Sequence, residues 1–282
     1  MTSDTAIQIR GLEKSYGELC AVDGIDLDVY RGETLALLGP NGAGKTTIVE
    51  ILEGHRKRDA GRVEVLGEDP ATAGRSWRSR IGIVLQEAHD LTQLTVREAV
   101  EYFAGCYASA RNADEVIDAV GLAEKAGART AQLSGGQRRR LDVALGIVGR
   151  PELIFLDEPT TGLDPEARRQ FWGVVRGLKS DGTTIVLTTH YLDEAEALAD
   201  RVAVIAGGRI LDVDSPDRVG GRSADRALVK WMTPEGARAV ETDEPSHLLR
   251  QLLGDFDGEV PGLTVVRPNL EDVYLRMIGA AA

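Results

Sequence analysis

Two hydrophobic rhythms divide the chain. Short apolar runs bounded by turn residues alternate with longer stretches in which apolar positions recur every three or four residues. The runs at 7–10, 25–30 and 34–38 read as strands, separated by turn signals at Gly17, Asp23-Gly24 and Arg31-Gly32. Alternation in Ile25-Asp26-Leu27-Asp28-Val29 predicts a half-exposed strand, as in an antiparallel sheet. By contrast Leu35-Ala36-Leu37-Leu38 is apolar on both faces, as a buried parallel strand must be. Ile81–Leu85, Leu153–Leu156, Thr184–Thr188 and Val202–Ile205 are further buried-strand candidates. Helical spacing fills 95–109, 112–120, 137–149, 165–180 and 192–199. This alternation predicts an α/β core with a largely parallel sheet, beside an antiparallel β subdomain.

Two stretches break the alternation. No strand-like segment lies between Gln86 and Arg150, which predicts an α-helical subdomain inserted at about 87–150. After Asp214-Ser215-Pro216 the pattern changes to a strand at Ala227–Trp231, two helical stretches, a strand at Leu263–Arg267 and a last helix. In that helix Asn269 is the N-cap candidate, and Leu270, Val273, Tyr274 and Met277 form an apolar stripe. The expected organisation is a main domain at 1–217 and a small C-terminal α+β lobe at 218–282.

Composition narrows the class. With 43% hydrophobic and 28% charged residues over 282 positions, disorder and fibrous folds are excluded. No apolar run approaches the roughly 18 residues of a membrane span. Met1–Arg10 lacks a signal peptide's basic start and apolar core. The acidic residues outnumber the basic ones, 45 to 33, for a net charge of −12, which argues against a nucleic-acid partner or direct binding to anionic lipid. Cys20 and Cys106 have neither metal-ligand spacing nor a disulfide framework.

The chemistry begins at residue 39. Gly39-Pro40-Asn41-Gly42-Ala43-Gly44-Lys45-Thr46, then Thr47, fits the phosphate-loop pattern, between a buried strand and a helix carrying Ile48, Ile51 and Leu52. Glycines there let consecutive N–H groups converge on phosphate oxygens, and the helix start adds its positive end. Lys45 supplies charge to the β- and γ-phosphates, and the Thr46 hydroxyl can ligate Mg²⁺. Leu153-Ile154-Phe155-Leu156 then delivers Asp157 and Glu158 to the carboxyl edge of the sheet, where ligands bind in open α/β folds. Asp157 is placed to hold Mg²⁺ through its water shell, and Glu158 to polarise an attacking water.

A second glycine-rich helix start follows Leu133, at Ser134-Gly135-Gly136-Gln137. Two phosphate-binding helix starts in one chain make sense if the second completes a site on another subunit. With Leu133–Gln137 as signature motif, the chain resembles the ATP-binding cassette (ABC) ATPases over about residues 5–215. The resemblance implies a P-loop NTPase core in which Tyr16 stacks on adenine and Gln86 ligates Mg²⁺ and senses the γ-phosphate. It implies that Asp164, in Gly162-Leu163-Asp164, runs along a dimer seam and that His190 contacts the γ-phosphate. The implied catalytic set is Glu158, His190, Lys45 and Gln86. Nucleotide contacts fall to Tyr16, Gly39–Thr47, Gln86, Asp157, Ser134–Gln137 and Asp164, and metal contacts to Thr46, Gln86 and Asp157. ATP and Mg²⁺ are the implied cofactors, and an ATP-dependent homodimer with a separate transmembrane permease the implied partners. That arrangement sits at the cytoplasmic side of the membrane, with residues 87–105 receiving the permease. Residues 266–275 are similar to the tail of ABC-2 type exporters, the daunorubicin-resistance-like group, whose cargoes are drugs, lipids or polysaccharides. The importer subunit and the soluble remodelling ATPase stay open as alternatives.

Overall fold

The computed structural model describes residues 5–84, 91–224, 226–256, 259–266 and 269–281, which form two compact units, 1–213 and 214–282. In the first unit, β1 (Thr5–Tyr16) pairs antiparallel with both β2 (Leu19–Tyr30) and β4 (Ala60–Val65). Between β2 and β4 lie β3 (Thr34–Leu38) and α1 (Lys45–Leu52). The expected turn at Asp23-Gly24 lies inside β2. Gly24 takes a positive φ of 66° where the register shifts, so an irregularity absorbs the turn signal without ending the strand. β4 has no counterpart in the sequence reading, because Ala60-Gly61-Arg62 opens it with turn-forming residues and only Val63 and Val65 alternate.

The main sheet has six strands in the order β5-β6-β7-β3-β8-β9. These are β5 (Ile81–Val84), β6 (Leu153–Asp157), β7 (Thr184–Thr189), β8 (Arg201–Ala206) and β9 (Arg209–Asp214), with β3 between β7 and β8. Pairing from β5 through to β8 is parallel throughout. Every residue of β3, β6 and β7 is buried, as a sheet covered on both faces demands. After Gly207-Gly208, both at positive φ, β9 extends the edge.

A short helix, α2 (Arg75–Arg78), brings Trp77 into the core, where its indole N–H donates to the Val65 carbonyl at 2.8 Å. The inserted helical region holds α3 (Val96–Ala104), α4 (Ala113–Ala119) and α5 (Gly135–Ile147). α3 stops at Ala104 rather than 109, because Gly105 follows, and it starts in a capping box between Thr95 and Glu98. α6 (Pro165–Ser180) and α7 (Leu192–Leu198) flank β7 in sequence.

In the second unit, β10 (Ala227–Thr233) pairs antiparallel with β11 (Gly236–Thr242) and β12 (Thr264–Val266). α8 (Pro245–Asp255) covers β10, and Val229, Leu252 and Val260 form the small core. β11 falls where the sequence reading has a helical stretch. α9 (Leu270–Ala281) buries Leu270 and Val273 and is capped by Asn269, whose Oδ1 accepts the Asp272 N–H at 2.8 Å.

The contact of α5 with the main sheet runs through two glycines. A Cβ on Gly82 of β5 would lie 2.4 Å from the Gly146 carbonyl oxygen of α5. Gly82→Ala therefore forces helix and strand apart and is expected to cost ~1–3 kcal/mol of stability by overpacking, read by chemical denaturation. An unchanged midpoint contradicts the close approach.

Candidate active site

Three adjacent strand ends build the site. β3 runs into the phosphate loop, in which Gly42 and Gly44 take φ of 80° and 101°. Side chains are strained at such angles. At Gly44 a Cβ would also meet the Ala21 carbonyl oxygen at 2.3 Å, and at Gly39 the Ile205 carbonyl oxygen at 2.3 Å. Lys45, 5% exposed, folds back over the loop and donates from Nζ to the Gly39 and Pro40 carbonyls at 2.8 and 3.2 Å. Its Nζ also lies 3.6 Å from Glu158 Oε1. Burial lowers the Lys45 pKa, and the carboxylates of Glu158 and then Asp157 oppose that shift.

β6 ends at Asp157, buried, whose Oδ1 accepts from Thr188 Oγ1 at 2.5 Å. Its Oδ2 stands 3.5 Å from Thr46 Oγ1. Glu158 adopts a left-handed φ of 43°, unusual for a residue with a side chain, and its N–H donates to Thr188 Oγ1 at 2.9 Å. The third strand, β7, supplies Thr188 and leads to His190, whose Nδ1 lies 3.2 Å from Glu158 Oε2 without the alignment of a hydrogen bond.

A cleft of about 420 Å³ opens in front of these groups, lined by Tyr16, Asn41, Gly42, Gly44, Lys45, Thr46, Thr47 and Glu158. Tyr16 ends β1 at its rim, 41% exposed, with the Arg56 guanidinium 5.2 Å from its ring centroid. Ser134 caps α5, exchanging bonds with Gln137 in a capping box, and is exposed together with Gly135. Asp164 caps α6 through the N–H groups of Glu166 and Ala167. None of the described residues lining the cleft comes from 133–137 or from Asp164. The structure thus gathers Tyr16, the phosphate loop, Asp157, Glu158 and His190 in one place and leaves the second glycine-rich helix start facing outwards. Gln86 lies outside the described residues.

Residues 22–161 match the ABC transporter family model. The chain is 38% identical to the daunorubicin resistance ATP-binding protein DrrA3 of Streptomyces coeruleorubidus, over 98% of this chain and 97% of that protein. The chain belongs to the ATP-binding cassette transporter family. It is also 38% identical to the Nod factor export ATP-binding protein I of Rhizobium sp. (strain N33), over 98% of both chains. Among solved structures, cbiO1 from Clostridium perfringens is 28% identical, with a TM-score of 0.68 over 76% of this chain and 90% of that one. A dimeric cassette, MJ0796, bound to ADP and Pi, shares the fold at TM-score 0.66 and 24% identity, over 74% of this chain and 98% of its own. The cassette described here is accordingly an ATP-binding, ATP-hydrolysing subunit on a P-loop NTPase core.

Two site features escape the sequence reading. Thr188 bonds both acidic residues of the β6 edge, and its only signal is a place among the threonines that close a strand with an apolar centre. A second cleft, of about 460 Å³, lies beside α1, β5, α3 and α5, and Glu53 and His55 stand in its wall. His55 places Nδ1 3.2 Å from the buried Glu53 carboxyl group.

Burial, with the nearby charges of Asp157 and Glu50, pushes the Glu53 carboxyl up to about 8. Between 4.5, its ordinary value, and about 8 the folded cassette holds a proton that the unfolded chain releases, so stability falls as pH rises through that window. Glu53→Gln removes this loss. Its advantage in melting temperature over the unchanged protein is expected to grow from about pH 5 to about pH 8.5; a pH-independent difference contradicts the assignment.

Proposed function

We propose that the cassette is the motor of a membrane exporter, hydrolysing ATP at two sites shared between two copies of the chain. The observation that carries the shared-site reading is the exposure of Ser134 and Gly135, away from the cleft that holds Lys45 and Glu158. In this reading the phosphate loop of one chain and the Ser134 helix start of the other enclose each nucleotide. Asp164 lies along the seam. Tyr16 stacks on the base.

Catalysis is then positioning and electrostatics. Lys45 and the loop N–H groups neutralise the β- and γ-phosphates, while Glu158 orients the attacking water and His190 holds the γ-phosphate end. Gln86 is assigned a share in metal binding and γ-phosphate sensing. The donors fit Mg²⁺: Thr46 Oγ1 and Asp157 Oδ2 are hard oxygens 3.5 Å apart, few enough to leave room for phosphate and water. Bound Mg²⁺ supplies charge neutralisation at the phosphates.

Export is supported by likeness over nearly the whole chain, second unit included, to proteins named for drug resistance and Nod factor export. Among the described residues no helix is long and apolar enough to cross a membrane. A separate permease is assigned the passage of a drug, lipid or polysaccharide cargo, with the cassette held at the cytoplasmic face. The second cleft, with Ile81, Ile83, Leu91, Phe103 and Leu145 in its walls, is the surface assigned to that permease. Residues 1–217 form the proposed ATPase domain and 218–282 an accessory domain.

Light scattering of Glu158→Gln with and without Mg-ATP tests the reading. The variant is expected to be monomeric alone and dimeric with ATP, with turnover down at least ~100-fold. Adding Lys45→Ala should abolish the ATP-driven dimer. Hydrolysis at the native rate, or a monomer with ATP bound, overturns it.

A further inference from the structure

Five residues after the Ser134 cap, α5 turns a cation inward. Arg139 is 7% exposed, whereas Arg138 and Arg140 on either side are only partly buried. Its Nε donates to the Pro159 carbonyl and its Nη2 to the Asp157 carbonyl, both at 2.8 Å. Those carbonyls flank Glu158, the residue held at a φ of 43°. A side-chain-bearing residue in that region is strained, and it persists only where its surroundings over-determine it. Arg139 fixes the turn from one side, and the Thr188 hydroxyl, accepting the Glu158 N–H, fixes it from the other.

Burying a guanidinium is costly. Desolvation lowers the Arg139 pKa, against which Asp142, Asp157 and Glu194 supply opposing charge. An apolar side chain would fill the same space without that cost, so what the arginine adds is direction. Its planar fork sets two carbonyls at a fixed spacing, which a flexible ammonium cannot do. At the other end of the same segment, Gly136 is pressed against α6: a Cβ there would lie 2.7 Å from the Ala167 Cβ. The start of α5 and the Glu158 turn are thus tied through a stretch of rigid helix about 7.5 Å long.

We propose that Arg139 is a positioning residue that couples the outward-facing start of α5 to Glu158 of the same chain. This rests on the shared-site reading. Under that reading Ser134 engages the nucleotide in one site while Glu158 of the same chain works in the other. Closure on ATP at one site then sets the carboxylate at its twin, and the two sites hydrolyse cooperatively.

The test compares Arg139→Gln and Arg139→Lys with the unchanged protein. Steady-state ATPase gives kcat, KM and the Hill coefficient, and each substitution is also made in Glu158→Gln to follow ATP-driven dimerisation. Misplacing a catalytic group by about 1 Å costs on the order of 100-fold, so Arg139→Gln is expected to lose about 10- to 100-fold in kcat. KM and ATP-driven dimerisation should stay within about 2-fold, and the Hill coefficient, above 1 in the unchanged protein, should fall to about 1. Arg139→Lys keeps the buried charge and loses the fork; it is expected to fold and to show the same loss of cooperativity, and it decides the matter if Arg139→Gln does not fold. Unchanged cooperativity in the lysine variant, while Glu158→Gln still dimerises, overturns the coupling alone. So does a kcat loss matched by a rise in KM. A Glu158→Gln protein that stays monomeric with ATP overturns the shared-site reading, and the coupling with it.

Discussion

An ammonium and a carboxylate share the carboxyl edge of the sheet, and the rest of the site depends on how they are held. Lys45 is nearly out of water, so its charge must be met inside the protein. The Gly39 and Pro40 carbonyls and the Glu158 carboxylate meet it, and all three stand within 3.6 Å of Nζ. That clustering is possible because β3, β6 and β7 lie side by side in parallel, so that their carboxyl ends open at one edge. In the proposed mechanism, incoming phosphate replaces Glu158 as the partner of Lys45 and frees the carboxylate to face water.

The remaining contacts keep the acidic corner in shape before any nucleotide arrives. Thr188 binds the side chain of Asp157 and the backbone of Glu158, while Arg139 binds the carbonyls on both sides. Such preorganisation matters because dipoles already aimed need no reorganisation at the moment of reaction. The left-handed φ of Glu158 fits the same account, as local strain held in place by hydrogen bonds from α5 and β7.

Sequence made the charged groups legible and left their supports hidden. The phosphate loop, the Asp157-Glu158 pair and the Ser134 helix start carry spacings that together point to phosphate chemistry. The buried parallel strands were legible because each is built around a continuous apolar run. Thr188 and Arg139 are different: one hydroxyl and one of three consecutive arginines gain meaning only from the neighbours that topology brings to them. Helical phase does distinguish Arg139, which shares its face with Val143 and Ile147, both buried. Strands that begin with glycine and charge, such as β4 and β11, stayed hidden because their pairing partners, not their own patterns, define them.

If the acidic corner is held ready by its neighbours, Thr188→Val must disturb it. Valine keeps the shape and removes both the bond to Asp157 and the acceptor for the Glu158 N–H. Single-turnover ATP hydrolysis and ATP affinity should be measured together. The hydrolysis rate is expected to fall about 10- to 100-fold with ATP affinity nearly unchanged. A native rate, or a loss confined to affinity, would contradict it.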